Sequence, residues 1–327
     1  MTTLNHPIVV LVDHHHGTLT TSSAQALTLA RSLTSGDIIA VVMGEPDTQA
    51  LSTYGATTVL LPDVGGHSQR VSAVVADALF TCITTVGEIA AVITNSHYLG
   101  REVCARLAIT MGTTAAVDIT RAWNHNGAIH AEKPVLAGAW TTTFHAEGAV
   151  PILGLRPSSI EEVPVETPTT PATVSIPVTL SEEAQAVRIV SSTEQENSGR
   201  VSLTEARNVV VGGRGTDGDF TLVEELADLL GGAVGATRVC SDEGWVPRAL
   251  QIGQTGASVA PNLYIGLGVS GAIHHTVGMQ SSRHIVAVCD DPDAPIFDIA
   301  DFGVVGDLFE VIPQAIETLR IEGNGQA

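Results

Sequence analysis

Twice between residues 208 and 275 the chain runs from a short apolar stretch through a glycine-rich turn. The first passage is 209–211, then GGRGTDGD at 212–219, then a helical pattern from Phe220; the second is Leu263–Leu267, then GVSGAIHH at 268–275. IGQTG at 252–256 lies between them. Glycine lets a backbone approach a ligand closely, and the free N–H groups at the following helix N-terminus attract phosphate oxygens, aided by the helix dipole. Two such turns within about 65 residues point to a dinucleotide, its pyrophosphate near one turn and a nucleoside near the other.

Gly213, Gly215 and Gly218 spell GxGxxG after a strand. In a chain with 32 glycines that pattern alone is equally a plain turn. Arg214 inside it changes the weighing. It is one of four basic side chains between 208 and 319, with Arg238, Arg248 and Arg283, so in an acidic chain its place is beside an anion. An NAD-dependent dehydrogenase would need an acidic residue closing the next strand. Asp242 lies at a tolerable distance, but Arg238 intervenes and no catalytic His or Lys constellation follows. A module holding a nucleotide for structure or regulation is the other alternative. No nucleophile or general base is evident, which favours electron transfer over substrate chemistry. The run His14, His15, His16 reads as a solvated loop, because three adjacent side chains cannot converge on one ion; no metal site is expected.

The elements that must position these residues are legible from composition and periodicity. The chain has 327 residues, 44% of them hydrophobic and 15% charged, enough for two domains. A net charge of −20 and a single lysine, Lys133, argue against nucleic acid and against an anionic membrane surface. Four cysteines without a CxxC pair signal no zinc or iron–sulfur site. No apolar run approaches the ~20 residues of a membrane span, and the N-terminus lacks the features of a secretory leader, so the expectation is a cytoplasmic protein without membrane insertion.

Ile8–Val12 and residues 38–43, 58–61 and 91–94 read as buried strands, and 23–33, 68–84 and 100–110 as the helices between them. Strict alternation marks a parallel sheet with helices on its faces. Trp140–His145 and 150–155 look extended, and 157–177, with five of the fifteen prolines, reads as an irregular excursion. A boundary near residue 197, inside the polar segment 191–207, would separate domains 1–196 and 197–327 and serve as a hinge. In the second, Phe220, Val223, Leu226, Ala227 and Leu230 share one helical face, as do Leu308, Ile312, Ala315, Ile316 and Leu319. The fold class is therefore α/β, two domains each with a mostly parallel sheet and flanking helices, the second Rossmann-like.

VVVGGRG (209–215), GAVGATR (232–238), QIGQTG (251–256), APNLYIGLGVSGAIHH (260–275) and DPDAPIFDIADFGVVGDLF (291–309) together resemble the alpha subunit of electron transfer flavoprotein. The likeness covers 207–319; the N-terminal half is similar in its α/β layout and in stretches such as 93–112. The resemblance implies FAD on the second domain and a beta subunit against the first. It also implies electrons accepted from dehydrogenases, such as those oxidising acyl-CoA in fatty acid β-oxidation, and passed to a quinone reductase or similar acceptor. By motif, Arg214 would lie beside the ribityl and phosphate region, and Thr237 and Arg238 near the isoalloxazine ring. Ile252, Gly253, Gln254, Thr255 and Gly256 would contact the ring and ribityl chain. Ser270, Gly271, Ala272, Ile273, His274 and His275 would wrap the pyrophosphate, with His275 reaching the pyrimidine side. Cys289, Asp307 and Leu308 would border the adenosine. A guanidinium such as Arg238, or a donor such as His275, suits the negative charge a flavin gains on reduction.

Three positions depart from the family's pattern. His274 stands where glutamine is usual, and Cys289 and Asp290 where Asn-Lys is usual. A thiol replaces an amide and a carboxylate replaces a cation at the adenosine rim, which implies weaker FAD retention. Cys289→Asn is expected to tighten FAD in equilibrium dialysis; equal affinity in the two proteins would count against this reading.

Overall fold

Ile8–Val12 (β1) is buried at every position, without polar alternation, as a strand covered on both faces must be. In the computed structural model, which describes residues 4–15, 17–136, 140–146, 149–192 and 200–324, it lies inside a seven-stranded sheet. The chain divides into two compact units, Met1–Glu194 and Gln195–Ala327. The boundary expected near 197 falls among residues 193–199, outside the described residues.

In the first unit a small ribbon, His14–His15 (β2) and Thr18–Leu19 (β3), follows β1. Then come Ile38–Val42 (β4), Thr58–Asp63 (β5), Ala91–Asn95 (β6) and Ala115–Ile119 (β7). Arg121–His125 (β8), Ala128–Val135 (β9), Trp140–His145 (β10), Ile152–Leu155 (β11) and Ala172–Pro177 (β12) complete it. The large sheet runs β12-β5-β4-β1-β6-β11-β7 with every neighbouring pair parallel. In register, Val10 pairs with Ala40 on one side and Ile93 on the other. Side chains alternate along β1. Val9 and Leu11 pack in one core with Val74 and Leu79 of Ser72–Val86 (α3) and Leu107 of Tyr98–Met111 (α4). Ile8, Val10 and Val12 pack in the other with Leu27, Ala30 and Leu33 of Thr21–Leu33 (α1). Thr48–Thr53 (α2) and Glu182–Ala186 (α5) are short. Cys82 and Cys104 are fully buried and pack as small hydrophobes.

Two expectations change. Residues 157–177 are not irregular throughout: they end in β12, which adds to β5 at the sheet edge, where its terminal Pro177 is tolerated. And β10 is one strand of an antiparallel sheet, β10-β9-β8, whose other two strands the sequence reading missed. The turn between β8 and β9 is Asn126-Gly127, both with positive φ (54° and 86°), a hairpin signal that was present in the sequence.

The second unit holds Asn208–Gly212 (β13), Ala233–Ala236 (β14), Leu263–Leu267 (β15), His284–Cys289 (β16) and Phe302–Val305 (β17). They form one parallel sheet, β14-β13-β15-β16-β17. Counted within the unit this is 2-1-3-4-5, and the winding reverses between β13 and β15. Thr221–Leu229 (α6) and Leu308–Asn324 (α9) cover one face. Phe220, Val223, Leu226, Leu308, Ile312 and Ile316 bury against Val210, Leu267 and Val288, while Leu319 at the far end of the expected stripe is exposed. Arg238–Asp242 (α7) and Ile273–Thr276 (α8) are single turns or little more. Among the described residues no helix is long and apolar enough to cross a membrane.

One close approach sets the first unit's geometry. The third residue after the N-cap of α4 is Gly100 within Tyr98–Met111, and a Cβ there would overlap the Asn95 carbonyl at the end of β6. Gly100→Ala is expected to destabilise this unit by about 1–3 kcal/mol, the cost of overpacking a closed contact. Urea unfolding followed by amide exchange across β6 and α4 checks it.

Candidate functional site

The strands β13 and β15 end in the two glycine-rich turns, which meet where the winding reverses. Gly213 N–H donates to the Leu267 carbonyl (2.8 Å), and Gly215 N–H to the Gly268 carbonyl (3.1 Å). A Cβ on Gly213 would overlap that Gly268 carbonyl, and one on Gly268, whose φ is +62°, would sit 2.7 Å from Gly215 Cα. Gly218 lies against the Trp245 ring, which packs against the core beneath α6 and α9. These glycines therefore serve the packing of turn on turn, a reason that the sequence reading, which gave close approach to a ligand, did not include; Gly215 and Gly268 also line the cleft. A second correction concerns the helix. Arg214–Thr216 is a single 3₁₀ turn, and α6 begins only at Thr221, with no residue of it in the cleft. Its N-terminus does not line the cleft.

Around these turns the C-terminal ends of β13, β14, β15 and β16 line a cleft of about 570 Å³. Of the residues singled out from sequence, Arg214, Thr237, Arg238, Ile252, Thr255, Ser270, Gly271, Ala272, His274, His275 and Cys289 line it. The others do not. Gly253 and Gly256 build the tight turn beneath it, Gly256 N–H donating to the Gly253 carbonyl and Gly253 N–H to that of Ala257. Gln254 Oε1 accepts from His274 Nδ1 (2.7 Å), and Ile273 points outward, 69% exposed. Leu308 is a core residue, and Asp307 caps α9 by accepting the Phe309 N–H at 2.8 Å. Sequence reasoning missed Gln251, Asp217 and Asp291 as cleft residues. Gln251 opens the QIGQTG segment and is buried. Its Nε2 donates to Thr255 Oγ1 (2.9 Å) while its Oε1 has no partner.

The two arginines differ. Arg214 makes no ion pair among the described residues and stands exposed at the cleft. Arg238, in the first position of α7, donates from Nε to Asp242 Oδ2 (3.0 Å), an exposed pair that orients the guanidinium more than it stabilises the fold. Thr237 Oγ1 lies 3.4 Å from Cys240 Sγ.

His275 is not available as a donor to a ligand. Its Nδ1 lies 3.0 Å from the Ile252 carbonyl, which can only accept, so Nδ1 carries the proton. Nε2, 2.7 Å from the Tyr264 hydroxyl, then accepts from it in the neutral ring. Both nitrogens are used within the protein, and the expected reach toward the flavin's pyrimidine side is replaced by a structural link between β15, the 252 loop and α8. Burial lowers the His275 pKa to about 4.

A family model described as the electron transfer flavoprotein FAD-binding domain matches residues 202–280, and one described as the electron transfer flavoprotein domain matches 8–181. An electron transfer flavoprotein subunit alpha of Mycobacterium leprae is 39% identical over 319 residues, covering 95% of this chain and 98% of its own. The chain belongs to the electron transfer flavoprotein alpha-subunit family. Its mitochondrial relative in Arabidopsis thaliana is 34% identical (95% and 89% covered), and that of Bacillus subtilis 33% (96% and 97%). The cleft suits a flavin of the family: it offers an unpaired guanidinium, the orphaned Gln251 Oε1 and an apolar floor of Ile252 and Val269.

A buried neutral histidine makes stability pH-dependent. The unfolded chain takes up a proton at His275 near pH 6.5 and the folded one only near 4, so its contribution is whole above 6.5 and lost progressively as pH falls toward 4. The loss amounts to about 3 kcal/mol by linkage. His275→Gln is expected to flatten this part of the profile in urea melts between pH 7 and pH 4.5; an unaltered slope would show that other groups carry it.

Proposed function

We propose that this chain holds FAD in the second-unit cleft, pairs with an electron transfer flavoprotein beta subunit through its first unit, and carries electrons. The donors would be dehydrogenases, such as those acting on acyl-CoA in β-oxidation, and the acceptor a quinone reductase or similar protein. The observation that carries this reading is the cleft at the reversal of the second sheet, which lies largely within the segment matched by the FAD-binding family model. Binding at the C-terminal edge of a doubly wound sheet is what its topology favours.

Each wall has a task. Arg214, without a carboxylate partner, neutralises an anionic group such as the pyrophosphate, and the Ser270-Gly271 turn lies beside it in the same cleft. Thr237, Thr255 and Gln251 offer hydroxyl and amide groups to a polar ring edge. Arg238 supplies positive charge, oriented by Asp242. Ile252 and Val269 keep water from the floor, which strengthens that charge's effect. Bound here, FAD supplies a ring that accepts and releases electrons.

Co-purified with its beta subunit, the protein is expected to show flavin absorbance. Arg214→Ala should weaken FAD binding about ten- to a hundredfold, the worth of one charge-assisted hydrogen bond. Arg238→Ala should lower the first reduction potential by roughly 60 mV, a tenfold change for one electron. A colourless complex, or one that takes up NAD instead, would sink the proposal.

A further inference from the structure

The first unit has a cleft of its own, apart from anything the flavin requires. Counted in chain order, its parallel strands run 7-3-2-1-4-6-5 across the sheet, so the winding reverses between β1 and β6. Open sheets of this kind take ligands outside the carboxyl ends of the strands at such a reversal. A cleft of about 400 Å³ lies there, within the range of small-molecule sites.

Its polar floor is built and one-sided. Asp13 directly follows β1, and its Oδ2 accepts from Asn95 Nδ2 (2.7 Å) and His97 Nε2 (2.9 Å). His97 caps α4 by accepting the Gly100 N–H at Nδ1 (3.2 Å), so its proton sits on Nε2 and points at Asp13. Two donors converge on that one oxygen and fix the orientation of the carboxylate. No donor among the described residues reaches Asp13 Oδ1, although the side chain is 27% exposed. Asn95, 1% exposed, also lines the cleft, and its Oδ1 has no partner. The third acceptor is His14. Its Nε2 donates to the Met43 carbonyl (2.7 Å), leaving Nδ1 as a lone-pair nitrogen with no partner. Three acceptors with nothing to accept ask for a ligand rich in hydroxyl donors.

The opposite requirement stands at the rim. Arg70 lines the cleft, donates to the Ser192 hydroxyl, and makes no ion pair among the described residues. In a chain of net charge −20 an unpaired guanidinium over a cleft is a place for an anion. Leu99 at the first turn of α4 brings the positive end of a fourteen-residue helix to the same space. Leu11, Val12 and Val75 give the remaining wall an apolar character.

We propose that this cleft binds a phosphorylated sugar, its hydroxyls on Asp13 and its phosphate on Arg70. The sugar phosphate comes either free or as part of a nucleoside monophosphate, for which the apolar wall would face the base. The site is independent of the flavin reading, and its failure would leave that reading intact.

The test is calorimetric titration of the full chain, with FAD present throughout, using ribose 5-phosphate, adenosine monophosphate and inorganic phosphate. Saturable binding of a sugar phosphate is expected with Kd of about a millimolar or below. Asp13→Asn and Arg70→Gln should each weaken it about tenfold or more, while Arg320→Gln, at an exposed position of α9 in the second unit, leaves it unchanged. Tighter binding of the nucleotide assigns that source, and equal binding assigns the free sugar phosphate. Arg70 is exposed, so its variant decides the matter even if Asp13→Asn fails to fold. Failure of either sugar phosphate to saturate, equal binding of inorganic phosphate, or affinity untouched by Arg70→Gln would overturn the proposal.

Discussion

The contact on which the second unit depends is backbone against backbone, Gly213 and Gly215 on one turn closing onto Gly268 on the other. No side chain fits between them, so the two strand ends that flank the reversal of the sheet are held at a fixed spacing. The cleft follows from this. Thr237, the 252 loop and the 270–275 turn are arranged around the closed pair, and Arg214 of the first turn lines the cleft with them. A parallel sheet always presents its strand ends together at one edge. Here the pattern GGRG joins the requirement for closure to the requirement for charge within four residues.

Much of this could be read from sequence because the relevant signals are local. Buried strands such as β1 and β4 show themselves as short β-branched runs, and α6 as a stripe of apolar residues. What could not be read was pairing over distance. Whether 157–177 would send a strand back to β5, more than a hundred residues upstream, depends on a free sheet edge that no window of sequence displays. The hairpin at Asn126-Gly127 did have a local signal, and it was masked by the mixed composition of β9. The site divides the same way. Residue types and order placed eleven positions on one cleft. They could not tell a histidine facing a ligand from one whose two nitrogens are engaged by Tyr264 and Ile252.

Charge is arranged by scarcity. With 15 basic against 35 acidic residues, most guanidinium groups could find a carboxylate, and several do: Arg101 with Asp118, Arg106 with Glu183, Arg200 with Asp228. Arg214 and Arg70, each at the reversal of its own sheet, have no carboxylate partner among the described residues. The two units thus present the same electrostatic theme, a lone cation over the strand ends, with different companions. The second unit surrounds it with hydroxyls and amides, and the first with unsatisfied acceptors.

The buried ring of His275 has a kinetic meaning as well. It joins the end of the 252 loop to β15 through two hydrogen bonds that exist before anything enters the cleft. The conformational entropy of ordering that wall is spent when the chain folds, so a ligand meets a surface already shaped. Association is then governed by encounter, and residence time by the contacts made afterwards. A wall pinned in this way favours a cofactor that arrives once and stays.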